Sequence, residues 1–409
     1  MPCGTLKASV NPVPEAQTGC PRSPPEQSKG PECFLPSPMP PFFASGLAGG
    51  PYILAVVDSD VKLQEFLPKV RDAKWVAVDT EADSLHAYPE KICLIQISTL
   101  DGDCLIDPLA GFSLDPLLDT LSGHQLIMHG ADYDLRLLRK HHEFVPSDIF
   151  DTMIAARLLG INQFSLVNLV EKYLGVKLEK GPQKANWAIR PLTPRMEKYA
   201  RNDTHYLKPL SDRLRSELEE QGRLAWHAEY CSRLITETQV DSTEGRDSAW
   251  RIRGSHVLNR RGLAVLKELW RWREAEAIGA NRPPFFIASH EAMVEIAAAA
   301  ADQRPIEPSL PRHLSERRRG GIAKAVEHGC ATPPQFLPEV LRNSGRRPSD
   351  GEKRRFLELR HVRDKRASEL GLDPTLIASR SMLSELAHDW KLHSTQLMQW
   401  QRNLLNSQE

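Results

Sequence analysis

The chain has 409 residues, more than one ordinary hydrophobic core accommodates, so we expect two or three domains. Its 53 basic and 53 acidic residues give a formal net charge of zero. That balance argues neither for nor against a polyanionic partner, because an acidic site can offset a basic face elsewhere. No run of about 18 apolar residues occurs, and the first residues lack the pattern of a secretory signal, so we expect neither a membrane span nor export.

The seven cysteines form no Cys-x-x-Cys pair and no cluster with histidine at zinc spacing. We therefore interpret each of them as a buried small side chain or a free thiol. Their odd number and scattered positions are typical of a reducing compartment, which predicts a cytoplasmic protein.

Residues 1–50 are rich in proline, glycine and serine. Such a segment buries too little apolar surface to offset the entropy of ordering, so we expect it to be disordered. Met39 is a plausible alternative start of translation. N-terminal sequencing of the native protein tests this hypothesis, and a peptide from before Met39 would refute it.

An α/β pattern covers residues 51–220. Short apolar runs predict four strands, at Trp75–Val78, Ile92–Ser98, Asp103–Asp107 and Leu126–Met128. Helical patterns follow through Leu135–Arg139 and over Thr152–Leu159, Leu166–Leu174 and Pro194–Glu220, the third of these ended by Gly175. Strands followed mostly by helices indicate one α/β domain.

A first all-helical segment covers residues 245–325. Leu263–Arg273 carries apolar residues at three- and four-residue steps, and a second helix is predicted over Met293–Ala301, after the break at Pro283 and Pro284. Residues 302–350 are rich in proline and arginine, and no helix is predicted there.

A second all-helical segment covers residues 350–407. It begins with a helix through Phe356–Arg360, continues through a loop with Gly371 and Pro374, and ends with helices through Leu383 and Leu397. The order of helix, proline-containing loop and short helix repeats that of the first segment, which indicates two distant copies of one plan.

Two acids end the first predicted strand. Side chains two residues apart on a strand share a face, so Asp79 and Glu81 can point into one cleft while Thr80 points away. Taken alone, this pair is more typical of acids that end a strand and face the solvent.

Two further acids lie on predicted helices. Asp134 is one turn into the helix after the fourth strand, where Asp132 is the better capping residue. Tyr199 and Asp203 are four residues apart on a helix and therefore lie on one face. If these acids converge, cations must neutralise them, and oxygen ligands favour Mg²⁺ or Mn²⁺. Two such ions about 4 Å apart stabilise the attacking and leaving oxygens of an in-line phosphoryl displacement.

The ordered motifs resemble the DEDD exonuclease superfamily in its tyrosine-containing branch, and within it ribonuclease D. The resemblance rests on Val76–Asp83 with the following Cys93–Ser98, on His129–Leu135, and on Tyr199–Leu207. The two helical segments resemble the HRDC domain of ribonuclease D and RecQ-type helicases, the first more closely through Leu266–Glu274.

The resemblance implies a fold, a reaction and a set of site residues. The fold is an α/β ribonuclease H-like exonuclease domain followed by two all-α HRDC-type domains. The reaction is 3′–5′ hydrolysis of RNA to nucleoside 5′-monophosphates, with tRNA precursors as the natural substrate. The implied ligands of two divalent ions, Mg²⁺ or Mn²⁺, are Asp79, Glu81, Asp134 and Asp203, with Tyr199 as the residue that orients or deprotonates the attacking water.

Other residues have both a functional and a structural interpretation. Asp151 is expected to cap the helix that begins at Thr152, whereas His86 and Tyr88 could contact a terminal nucleotide. The basic stretch between Arg312 and Arg366 is either a solvated surface or a phosphate-binding one. Trp270 and Trp272 are expected in a core rather than in a base-stacking platform, one of them partly exposed.

Two alternatives to an RNA exonuclease stay open at this point. A DNA exonuclease would use the same carboxylates, and a catalytically silent RNA-binding scaffold would use none of them. The sequence leaves the oligomeric state undetermined.

Overall fold

The computed structural model describes residues 55–239, 248–312, 314–340 and 347–406. The segment 1–50 and Met39 lie outside the described residues. Within the described part of the chain, no helix is both long and apolar enough to cross a membrane.

Six strands of the described chain form one mixed sheet in the order β1-β4-β3-β2-β5-β6. Their bounds are Ala55–Val57 (β1), Val76–Ala82 (β2), Ile92–Thr99 (β3), Gly102–Ile106 (β4), Gln125–Met128 (β5) and Asp148–Asp151 (β6). Strand β3 runs antiparallel to both β2 and β4, and the other three pairs are parallel. The four predicted strands are confirmed. The unpredicted β1 and β6 have three and four residues, too few to show a periodicity.

Eight helices accompany the sheet in the described chain: Asp60–Arg71 (α1), Asp115–Ser122 (α2), Asp132–His142 (α3), Thr152–Leu158 (α4), Leu166–Leu174 (α5), Pro194–His205 (α6), Leu207–Glu220 (α7) and Leu224–Gln239 (α8). Helix α5 ends at Gly175, as predicted. The φ of 69° at this glycine is in the left-handed region.

The single helix predicted over Pro194–Glu220 is wrong, because the chain is interrupted at Tyr206 between α6 and α7. Pro209 explains the break. A proline lacks the amide hydrogen and its ring collides with the carbonyl four residues earlier, which here belongs to His205, the last residue of α6. The interruption leaves α6 as a separate segment that lies against β2, β3 and β4.

The C-terminal part of the described chain is helical. Its helices are Arg260–Ala280 (α9), Pro284–Ile287 (α10), His290–Ala301 (α11), Glu316–Ala331 (α12), Asp350–Leu370 (α13), Pro374–Ile377 (α14), Arg380–His388 (α15), Trp390–His393 (α16) and Gln399–Leu405 (α17). Helix α12 was not predicted. The helix predicted through Leu397 is wrong, since this residue is extended and α17 begins at Gln399.

Two large hydrophobic cores hold these elements. One core spans the sheet domain and also the last helical segment, where the rings of Trp226 and Trp400 stack 4.9 Å apart. Arg223 reinforces this junction by donating to the carbonyls of Leu158 and Leu370 at 2.7 and 2.8 Å. The second core lies within residues 250–340.

Trp270 and Trp272 both pack, half-buried, against the second core, as expected of core residues. The neighbouring arginines also serve the packing of this segment. Arg317 and Arg318 both bind Glu276, and Arg319 donates to the carbonyl of Leu314. Part of the basic stretch is therefore engaged by the protein itself.

Candidate active site

Three carboxylates converge at the centre of the sheet. Asp79 and Glu81 lie on β2, between β3 and β5, and Asp203 lies on α6. One ligand oxygen from each of the three falls within 4.8 Å of the others. The hydroxyls of Ser98 on β3 and Thr204 on α6 are 2.7 Å apart and fix the helix that carries Asp203.

Asp134 approaches the cluster from the first turn of α3 and is buried. Its carboxylate accepts a hydrogen bond from the hydroxyl of Thr80, the residue between the two acids of β2. It does not belong to the group of three, but its charge acts on all of them. Sequence reasoning gave Thr80 no role, and only its place between Asp79 and Glu81 could have drawn attention to it.

Burial and mutual repulsion favour the protonated acids in the absence of a cation. Burial, with the charges of the other three acids, raises the pKa of Asp79 well above its usual range. The same two causes raise the pKa of Glu81 to about 9 and that of Asp203 to about 8. Burial raises the pKa of Asp134 to about 6, against the lowering effect of the bond from Thr80.

Tyr199 stands one helical turn before Asp203, and its hydroxyl lowers the pKa of the Asp203 carboxyl against the raising effect of burial. Burial, together with the charges of Asp203 and Glu81, raises the pKa of the Tyr199 phenol, so its hydroxyl stays protonated. The side chain of Gln183 lies beside this hydroxyl and opposes the rise in its pKa. Gly181 lies against the ring so closely that a Cβ there would overlap it, 1.4 Å from one ring carbon.

Gln183 was not predicted from the sequence, because it lies in an irregular segment without periodicity. Gln96 was likewise missed as an individual residue. It lies directly opposite Asp79 in the β2–β3 register and is fully buried. Within the described residues, neither atom of its amide has a hydrogen-bond partner.

The donors at this site suit a divalent cation. They are carboxylate oxygens only, which hard cations such as Mg²⁺ prefer. Oδ2 of Asp203 is buried and has no hydrogen-bond partner among the described residues. A buried, unpartnered oxygen in a cluster of like charges is stabilised by a cation and costs free energy without one.

Asp151 caps α4, as expected, by accepting from the amides of Met153 and Ile154. It also accepts from the amides of Gly130 and Ala131, immediately before α3. The carboxylate therefore fixes the start of the helix that carries Asp134.

The residues proposed to touch a nucleotide make other contacts. His86 is 2.9 Å from the carbonyl oxygen of Lys184, next to Gln183. Tyr88 donates from its hydroxyl to Glu274 and from its amide to Asn281, both in the following helical segment. The loop after β2 thus connects the site to that segment.

Comparison with known proteins agrees with this geometry. Residues 54–219 match the family described as 3′-5′ exonuclease, and residues 262–303 match the HRDC domain. Ribonuclease D of Zymomonas mobilis is 35% identical over 297 residues, which cover 69% of this chain and 75% of the relative. The chain belongs to the ribonuclease D family.

Two further ribonuclease D proteins extend the likeness. That of Xanthomonas oryzae is 31% identical over 358 residues, covering 85% of this chain and 95% of the relative. The crystal structure of Escherichia coli RNase D, an exoribonuclease involved in structured RNA processing, matches with a TM-score of 0.69 and 25% identity, covering 87% of this chain and 99% of that one.

The family predicted from the motifs is therefore confirmed. As a ribonuclease D with the 3′–5′ exonuclease domain, the chain is a metal-dependent 3′–5′ exoribonuclease. Its architecture is an exonuclease domain with a mixed sheet, one HRDC domain and a helical C-terminus.

Proposed function

We propose that this exoribonuclease trims the 3′ ends of structured RNAs, tRNA precursors among them, and releases nucleoside 5′-monophosphates. The main support for this activity is the convergence of one carboxylate oxygen each from Asp79, Glu81 and Asp203 within 4.8 Å of one another, with Asp134 adjacent. The substrate class is supported by the Escherichia coli relative, which is involved in structured RNA processing. The free cysteines Cys93, Cys104 and Cys231, all buried, support a cytoplasmic location.

The four carboxylates would hold two divalent ions, Mg²⁺ or Mn²⁺. Such ions, when bound, supply Lewis-acid stabilisation to the attacking and leaving oxygens of a phosphoryl transfer. Asp79 is the central ligand, because the charges of Asp134, Asp203 and Glu81 all act on it. The hydroxyl of Thr80 fixes the Asp134 carboxylate beside β2.

Tyr199 orients the attacking water. Its hydroxyl stays protonated near neutral pH, so in the resting site it can donate a hydrogen bond to water but cannot act as a base. The ring packs against Gly181 and the hydroxyl lies beside Gln183 and Asp203, so its position is restricted from several sides. A fixed donor beside the acids restricts the approach of water to the phosphorus, which is a positioning contribution to the rate.

We also propose a second, divergent HRDC-like domain over residues 350–407, after the first over 245–325. Two features support it: the same succession of a 21-residue helix and a four-residue helix, and the same Ser N-cap of the next helix. The residues at this turn also correspond, as Pro284–Ile287 followed by Ala288 and Ser289, and Pro374–Ile377 followed by Ala378 and Ser379. The exonuclease domain occupies 51–220, and α8 extends its packing.

A product assay on 3′-extended tRNA, with Mg²⁺ or Mn²⁺ and with a matched DNA oligonucleotide, tests the proposal. We expect mononucleotide release from the RNA, and its loss in Asp134→Asn with RNA binding retained. Asp132→Asn is the matched control, because Asp132 lies on the same helix but is exposed and paired with Arg136. Faster loss of DNA would indicate a DNA exonuclease, and no release by the wild type would indicate a silent scaffold.

A further inference from the structure

The turn between α9 and α11 exposes two adjacent aromatic rings. Phe285 and Phe286 are 53% and 50% exposed, with ring centroids 4.5 Å apart. The guanidinium of Arg282 lies 5.9 Å from the centroid of the Phe286 ring. We call these three residues the Phe-Arg platform.

The corresponding turn of the last helical segment is covered. Leu376 stands at the place of Phe286 and is 4% exposed, in the core shared with the exonuclease domain. Gly371, which ends α13, lies so close to Gly160 that a Cβ on Gly160 would be 2.2 Å from the carbonyl oxygen of Gly371. One turn thus packs on the exonuclease domain, whereas the other presents larger apolar side chains to the surroundings.

The platform adjoins the loop that leads to the site. Asn281, just before Arg282, accepts a hydrogen bond from the amide of Tyr88 at 3.2 Å. Two residues earlier in that loop, His86 contacts the carbonyl of Lys184, and Gln183, which precedes Lys184, lies beside the hydroxyl of Tyr199. A continuous chain of contacts therefore connects the platform to the proposed water-orienting tyrosine.

We propose that the Phe-Arg platform stacks bases of single-stranded RNA whose 3′ end lies in the active site. Aromatic faces with an arginine beside them bind unpaired bases without regard to sequence, and the arginine adds attraction for phosphate and for π faces. The position of the platform beside the loop that leads to the site favours the substrate over a protein partner. The proposal rests on the exoribonuclease function described above.

The test uses the full chain with both phenylalanines replaced, Phe285→Ala and Phe286→Ala. The matched control is Phe336→Ala, a phenylalanine that is 72% exposed and follows α12 in the same part of the chain. Substrates are a tRNA with an unpaired 3′ extension, carrying a fluorescent base analogue in the extension, and a dinucleotide, which has no further unpaired bases to stack.

We expect the double variant to bind the extended tRNA about tenfold more weakly, with KM raised correspondingly. Stacking-dependent quenching of the base analogue should disappear, while dinucleotide hydrolysis and the melting temperature stay at wild-type values. The control should match the wild type throughout.

Unchanged binding and quenching in the double variant would overturn the proposal, as would an equal effect of Phe336→Ala. If sedimentation shows a dimer for the wild type and a monomer for the double variant, with RNA binding unchanged, the platform is an interface between copies and the proposal also falls. Wild-type protein that hydrolyses neither substrate would refute the exoribonuclease function instead, so the two failures are distinguishable.

Discussion

Replacement of Asp151 by alanine should disturb both the fold and the site. Its carboxylate is fully buried and accepts four backbone hydrogen bonds, from residues at the starts of two helices. The donors are the amides of Gly130, Ala131, Met153 and Ile154, at 3.1, 2.7, 2.8 and 3.1 Å. Removal of the carboxylate leaves these donors beside a cavity.

The expected loss of stability is the sum of the effects at the starts of α4 and α3. Loss of the N-cap of α4 costs about 1 kcal/mol. Each amide before α3 loses a charged acceptor in a buried place, which costs about 1–3 kcal/mol. The sum, about 3–7 kcal/mol, is a large part of the roughly 5–15 kcal/mol that stabilises a domain. Asp151→Asn should cost less, because its oxygen can still accept from the three donors that bond to Oδ1, and only the bond from the Ala131 amide is lost, since an NH2 group cannot accept it.

Urea denaturation measures the free energy of unfolding, and mononucleotide release measures the effect on Asp134. Asp148→Ala is the matched control, since Asp148 begins the same strand but is exposed and should change stability by less than about 0.5 kcal/mol. A loss below about 1 kcal/mol in Asp151→Ala, with activity equal to that of the control, would refute the reasoning.

Three further outcomes follow from the site and its supports. In the folded protein the pKa values of Glu81 (about 9) and Asp203 (about 8) lie above their ordinary values of 4.5 and 3.8. The melting temperature in EDTA should therefore fall as pH rises from about 5 to 9. Addition of Mg²⁺, or the substitution Asp203→Asn, should make the melting temperature less dependent on pH. Tyr199→Phe should lower kcat about 10²-fold with little change in KM, measured in steady state; an unchanged kcat would exclude its role. Arg223→Ala leaves two helix-end carbonyls without their donor, and the free energy of unfolding measured with urea should fall by about 2–4 kcal/mol. Arg223→Lys should not restore this stability, because an ammonium group lacks the guanidinium fork.

The sequence predicted the acids better than it predicted their supports. Asp79 and Glu81 follow from the two-residue period of a strand, and Tyr199 with Asp203 from the spacing of one helical turn. These are local rules, and the structure obeys them. Gln183 reaches Tyr199 from an irregular segment, so no local period could have indicated the contact.

The interruption at Tyr206 was predictable in principle. Pro209 disfavours a helix that continues through His205, and the prediction of one helix over Pro194–Glu220 did not take it into account. Packing of the last helical segment on α8 was beyond prediction, because Trp226 and Trp400 lie far apart in the chain and each is compatible with any core.

The four acids repel one another, and the fold withstands this because hydrogen bonds hold either the side chain or the element that carries it. Asp79 and Glu81 are built into β2, which has hydrogen-bonded neighbours on both sides. Asp134 is fixed by Thr80, and Asp203 is carried on a helix held by the bond between Ser98 and Thr204. Repulsion therefore cannot relax by separation of the groups. It is relieved by proton uptake or by a cation, so a metal ion competes with protons at this site and its apparent affinity should rise with pH.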